Sequence, residues 1–321
     1  MQAILVVTLP FFALVLCGFL AARQRLLPEA AIPGLNAYVL YFALPCMLYR
    51  FGASMPFARL IDVSLIAVYA LCALVLVGLT VALTRRRVGL KNAAFGALVA
   101  AFPNSGFMGV PLLVALHGDA AAGPVMGTLL VDLFLTSTLC LALAHAEHHA
   151  RQQDGQDSTL ASVGRSLRAA LANPQPWAIA IGAVAAALSV QLPAPLAQFV
   201  KMLADSASPV ALFTIGAVLW RAGQHVHTRT PLRDYLPVAL TKLLLHPLLV
   251  GVVGLAARAL GAPVSTFGLT MLVLAAALPS ASNVSLLAER FGADNGRVAR
   301  IIMASTALAF FSFALIAWAL A

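Results

Sequence analysis

The sequence predicts an all-α polytopic membrane protein: ten transmembrane helices in two inverted five-helix repeats, with helices 4 and 9 broken and crossing. Three observations lead there. Of the 321 residues, 62% are hydrophobic and 10% charged, whereas soluble domains carry about 25% charged residues. The apolar residues fall in repeated runs, and a run of about 20 residues spans a bilayer. Two runs are interrupted at matching places, by Phe102-Pro103-Asn104-Ser105-Gly106 and by Leu278-Pro279-Ser280-Ala281-Ser282-Asn283. Pro103 and Pro279 are 176 positions apart (279 − 103).

In order, the spans are expected at 4–22, 33–50, 60–83, 92–116 (broken), 122–144, 174–191, 196–220, 234–258, 265–291 (broken) and 298–320. The first apolar run has no basic residue before it and is followed by Arg23 and Arg25. It reads as a first membrane helix with its N-terminus outside, not as a signal peptide. With that orientation 15 Lys and Arg fall on the inner side and 4 on the outer, with Lys242 inside a span. Such an excess marks the cytoplasmic face. It accounts for the net charge of +9 without a nucleic-acid partner. Both termini are then expected outside.

The polar stretch 147–172 separates a first repeat, 1–146, from a second, 173–321. Five spans are an odd number, so the second set must be inverted. Leu44-Pro45 in the second span corresponds to Ser208-Pro209 in the seventh. The cysteines Cys17, Cys46, Cys72 and Cys140 all lie in spans without metal-ligand spacing and read as small packing residues.

Broken helices are where a site is expected. Pro103 removes a backbone donor and clashes with the preceding turn. An unpaired backbone group in lipid costs several kcal/mol, so a break persists only inside protein or beside a watery cavity. Paired breaks in two halves point to a transporter's binding site. Each half-helix of ~10 residues is ~15 Å long, half the hydrocarbon core, so both breaks reach the midplane. The following half-helices aim two N-termini at the crossing, and these carry partial positive charge suited to a carboxylate. Asn104, Ser105, Gly106, Ser280, Ser282 and Asn283 are the residues available there.

Asn36–Leu48 (N-x-x-x-L-Y-F-A-L-P-C-M-L), Pro103–Leu112 (P-N-S-G-F-M-G-V-P-L), Thr241–Leu248 (T-K-L-L-L-H-P-L) and Leu278–Gly292 (L-P-S-A-S-N-V-S-L-L-A-E-R-F-G) resemble the auxin efflux carrier family. Its bacterial members, often labelled malonate or dicarboxylate transporters, are the most similar. The resemblance covers essentially the whole chain. It implies ten helices with a crossover of the fourth and ninth, a scaffold or dimerisation domain, and transport of organic anions. The family's crossover prolines match Pro103 and Pro279, and its crossover polar residues match Asn104 and Asn283. The chain lacks the long cytosolic loop of the plant auxin exporters. By resemblance the second span, with Asn36, Tyr41 and Pro45, faces the crossover, and Tyr41 is a candidate ligand.

Lys242, in ALTKLLLHPLL, would cost ~2.5–3.5 kcal/mol at a helix centre and should face protein or a cavity. It reads as an anion ligand, as a neutraliser of crossover helix ends, or as a lysine snorkelling to an interface. Asp132, in GTLLVDLFLT, reads as a proton carrier, a counter-charge to helix ends, or a hydrogen-bond acceptor between helices. A charged Asp132 at the crossing would compete with an anion. His246, one turn after Lys242, is a candidate for proton coupling or a neutral packing residue. His145, His148 and His149 read as a solvated cluster, with no metal expected. Arg85-Arg86-Arg87 reads as a lipid anchor. Glu289 and Arg290 read as gating charges or a solvated face.

No G-x-S-x-G or P-loop occurs, so neither an enzyme nor ATP-driven transport is expected, and no cofactor is implied. The expectation is a secondary transporter or facilitator of malonate-like anions in a bacterial inner membrane. It would be proton-linked or uncoupled and would work by rocking or elevator movement. The partners are the bilayer and the anion, with a homodimer suggested by resemblance. The alternatives are a non-transporting sensor or scaffold, and a sodium-coupled carrier of the bile-acid type.

Overall fold

In a computed structural model the chain is all helical. The structure describes residues 2–55, 61–151, 170–224 and 230–320, with Gly164, Leu167 and Arg168. For Ala3, 146–151, Ala222 and Leu286 it describes the backbone alone. The helices are α1 Gln2–Arg23, α2 Ala31–Ala53, α3 Val63–Val88, α4 Leu90–Ala101, α5 Ser105–His117 and α6 Asp119–His145. There follow α7 Pro174–Ala187, α8 Ala194–Gln224, α9 Leu232–Ala259, α10 Thr266–Ala277, α11 Asn283–Arg290 and α12 Asn295–Ala319. Seven helices among the described residues (α1, α2, α3, α6, α8, α9 and α12) are long and apolar enough to cross a membrane. The protein is a multi-pass membrane protein.

Several boundaries differ from expectation, among them those of the third span, expected over 60–83 and found at Val63–Val88. The sixth span, expected over 174–191, stops at Ala187, where Ser189 turns the chain in the left-handed region (φ 53°). The seventh extends beyond 196–220 in both directions, to Ala194–Gln224. Most of the connecting stretch 147–172 lies outside the described residues, as do the side chains of His148 and His149. Of the cysteines, Cys72 and Cys140 are buried, Cys46 is half-buried and Cys17 is exposed.

Four helices contain a single wide π turn: Val39–Ala43, Ser105–Gly109, Asp132–Thr136 and Thr241–Leu245. Three of them end two residues before a proline, Pro45, Pro111 or Pro247. A proline ring clashes with the carbonyl four residues back, and widening the turn relieves that clash. The fourth has another cause. Ser137 Oγ donates to the Asp132 carbonyl at 2.8 Å, inserting a side chain into the helix ladder.

The helices sort into two packed groups. In one, α1 lies on α8, and α2 lies on α7 and α8. Small residues set these contacts. A Cβ added to Gly18 would collide with the backbone of Phe213, and one on Gly216 with that of Val15. Gly52 and Gly182 meet in the same way across α2 and α7. With lipid outside, close backbone packing of this kind does the work that apolar burial does in water. In the other group α3 packs on α4 and α9, α6 on α4, and α10 and α12 on α9. The helix α8 touches α12 and joins the groups.

Candidate functional site

The second group is built around the two chain breaks. Helix α4 ends at Ala101 and α5 begins at Ser105; α10 ends at Ala277 and α11 begins at Asn283. Between them the chain is extended, and Pro103 and Ser280 face each other in an isolated antiparallel bridge. Asn104 N donates to Pro279 O at 2.8 Å, and Ala281 N donates to Phe102 O at 3.0 Å. Pro103 and Ser280 thus occupy the position in an antiparallel pair that needs no mutual hydrogen bond, so the missing proline N–H costs nothing. Each break satisfies the other's backbone, which lets both persist in a buried place.

Side chains support the crossing. Ser105 Oγ lies 3.3 Å from Thr128 Oγ1 of α6, and Ser280 N donates to Ser305 Oγ of α12 at 3.2 Å. Asn104, Ser105, Ser280 and Ser282 are all buried. Gly106 is buried against Leu44 and Leu129. Ser280 Oγ and Asn283 Oδ1 are buried without a hydrogen-bond partner.

A cavity of about 470 Å³ opens beside this crossing. Its wall includes Phe102 and Asn283 of the two breaks, Asn36 and Tyr41 of α2, Ser137 of α6, Arg221 of α8 and Arg290 of α11. It therefore lies between the two helix groups. Among the described residues two arginines line it and no carboxylate does. Tyr41 is 59% exposed and stands at the rim; it is Tyr38 that reaches across to α8, 2.7 Å from Ser206 Oγ.

Lys242, Asp132 and His246 are elsewhere. All three are fully buried and none lines this cavity. Lys242 Nζ donates to the carbonyl of Ala276 at 2.6 Å, in the last turn of α10, and lies 3.1 Å from His246 Nδ1. The last carbonyls of a helix lack partners and carry its negative pole, so an ammonium there neutralises a crossover helix end. Asp132 accepts from Tyr69 Oη at 3.0 Å and from Thr136 Oγ1 at 3.1 Å. The Tyr69 ring lies 5.6 Å from the His246 ring, which links the Asp132 side of the cluster to the Lys242 side. These residues form one buried polar cluster behind the crossover.

The structure thus gathers Asn36, Tyr41 and Asn283 at one cavity and places Lys242, Asp132 and His246 in another cluster. Reading the sequence missed Arg221 as a wall residue, since it served there only as a topology charge. It also missed Tyr69, whose signal was a single aromatic hydroxyl within the apolar run VSLIAVYALCAL. Arg290 is both exposed and part of the cavity wall.

Residues 3–317 match the membrane transport protein family. The chain belongs to this family. This is the auxin efflux carrier grouping that the motifs resemble. Among its relatives is a Rhizobium meliloti (strain 1021) protein named "Putative malonate transporter", 29% identical over 306 residues, covering 94% of this chain and 90% of that one. "Uncharacterized transporter YfdV" of Escherichia coli (strain K12) is 27% identical over 289 residues, covering 88% of this chain and 87% of the relative. The same name and figures apply to a Shigella flexneri protein. A member of this transporter family is not an enzyme.

Proposed function

We propose that the protein is a secondary transporter or facilitator of small organic dianions, malonate-like in size, bound in the cavity beside the crossover. One observation carries this reading: the cavity touches both broken segments and, among the described residues, is lined by two arginines and no acid. A guanidinium matches a carboxylate in a two-pronged geometry, and two of them suit two carboxylates. Asn36 and Asn283 would supply neutral hydrogen bonds through their side-chain amide N–H groups. The relative named for malonate supports the same class.

In this reading α4 with α5 is the fourth span and α10 with α11 the ninth of ten. Residues 1–146 and 173–321 are inverted repeats joined by 147–172. Position offsets support the repeat. Gly18 and Gly182 are 164 positions apart (182 − 18), as are Gly52 and Gly216 (216 − 52). Within the crossover group Tyr69 and His246, and Thr128 and Ser305, are each 177 apart (246 − 69; 305 − 128). The glycine-packed group would be the fixed panel and the crossover group the moving part, in an inner membrane with both termini outside. Arg221 belongs to the first group and Arg290 to the second, so the anion would be gripped from both.

A negative interior opposes anion entry by about 2.3 kcal/mol per charge per 100 mV. Uptake of a dianion would need co-transported cations, and the buried Asp132–Lys242–His246 cluster is the place proposed for a proton. Efflux would need none. The test is uptake of labelled malonate into proteoliposomes under imposed gradients. Transport that follows a pH gradient or runs without one, and that fails in Arg221→Gln, supports the reading. Transport driven by a Na⁺ gradient alone, or untouched by Arg221→Gln, refutes the coupling or the site respectively.

A further inference from the structure

A second polar cavity, of about 140 Å³, lies among the ends of α3, α9 and α12. It shares no lining residue with the crossover cavity. Arg297 lies in its wall and is only 2% exposed. Its Nε donates to Asp234 O and its Nη1 to Asn92 O, both at 2.8 Å. Its Nη2 is buried and has no hydrogen-bond partner. Thr80 Oγ1, in the same wall, is also buried and unpartnered.

Arg87 and Arg233 complete the lining from the exposed side. Asp234 is the one acid there, its Oδ1 3.6 Å from Arg87 Nη1. Three guanidinium groups against one carboxylate leave the cavity with a net charge of +2. Its lining spans Leu79–Val88, the last ~12 Å of α3, together with the first turns of α9 and α12. Helix ends in a multi-pass protein lie at headgroup depth. Basic pockets between membrane helices at that depth suit phosphate-bearing headgroups.

We propose that this cavity binds a phosphate group, presented by an anionic lipid headgroup or by free phosphate. Arg297 Nη2 and Thr80 Oγ1 donate to its oxygens from the buried side, and Arg87 and Arg233 from the exposed side. Arg297 also holds the start of α4 through Asn92 O. An occupied site therefore ties α3, α4, α9 and α12 together.

The test uses delipidated full-length protein in detergent, with thermal unfolding as readout. It is titrated with short-chain phosphatidylglycerol, with phosphatidylcholine, with sodium phosphate, and with sodium chloride at matched ionic strength. The variant is Arg87→Gln/Arg233→Gln, because both side chains are exposed and Arg297 itself supports packing. Phosphatidylglycerol is expected to raise the melting temperature of the wild type and phosphatidylcholine not to. The half-saturating concentration should rise about tenfold in the double variant. A shift from sodium phosphate as large as that from the lipid, and lost in the double variant, identifies the free anion as the ligand. A shift from the lipid alone identifies the headgroup. The proposal is overturned if wild type and double variant respond alike, if phosphatidylcholine or chloride does as well, or if neither anion shifts the wild type.

Discussion

The protein has two large cavities against its crossover helices, and they differ in how their charges are arranged. The cavity at Arg221 and Arg290 has about 470 Å³ and no acid in its wall among the described residues. Neither arginine makes an ion pair among the described residues. The other, at Arg50 and Asp205, is larger at about 580 Å³, and Pro111 of α5 forms part of it. There Arg50 Nη1 lies 2.9 Å from Asp205 Oδ1, Lys201 Nζ lies 2.6 Å from Asp205 Oδ2, and Asp119 is a second carboxylate in the wall. Arg50 belongs to α2 and Asp205 to α8, so that pair ties two helices of one group. Among the described residues, the wall of the first carries arginines as its only charged side chains, whereas that of the second carries two carboxylates beside Arg50.

The largest expected effect lies in the buried cluster, outside both cavities. Lys242→Met frees the Ala276 carbonyl and leaves the buried Asp132 cluster without its cation, which should cost about 3–5 kcal/mol of stability. Calorimetry in detergent should show most of that loss recovered when Asp132→Asn is added. Next comes Arg221→Glu with Arg290→Glu, which removes the unanswered charge. Charge-assisted hydrogen bonds contribute ~1.5–3 kcal/mol each, so calorimetric titration with malonate should show binding weakened at least ~100-fold. Asn283→Ala removes one neutral partner and should weaken malonate by about fivefold in the same titration, the effect of ~1 kcal/mol. Smallest is Arg50→Gln in the paired cavity. An exposed ion pair contributes ~0.2–1 kcal/mol, so the melting temperature should hardly move and malonate affinity not at all. A large loss of affinity there would erase the distinction between the two cavities.

The breaks were legible because Pro103 and Pro279 stand where a span cannot tolerate them. Lys242 and Asp132 were legible as charges inside apolar runs. Their partners were not. Lys242 had neutralisation of a crossover helix end among its readings, but the carbonyl it reaches, Ala276 O, is 34 positions away and carries no side-chain signature. Tyr38 and Tyr41 are three positions apart on one apolar helix, and nothing local tells which reaches Ser206. A helix apolar on every side keeps its inward face hidden from sequence periodicity. Arg221 and Arg290 sit at helix ends, where basic residues are expected for topology alone, so their meeting at one cavity emerges only from packing.

The glycine contacts of α1 with α8 and of α2 with α7 have a consequence for how the chain is made. Gly18 and Gly52 leave the ribosome long before Gly216 and Gly182 exist. Translation runs at roughly 5–20 residues per second, so α1 waits on the order of 10–40 s for its partner. During that time its notched backbone has only lipid, or the insertion machinery, to lie against. Neither half of the chain can complete its own close contacts, and the first half stays unfinished until the second arrives.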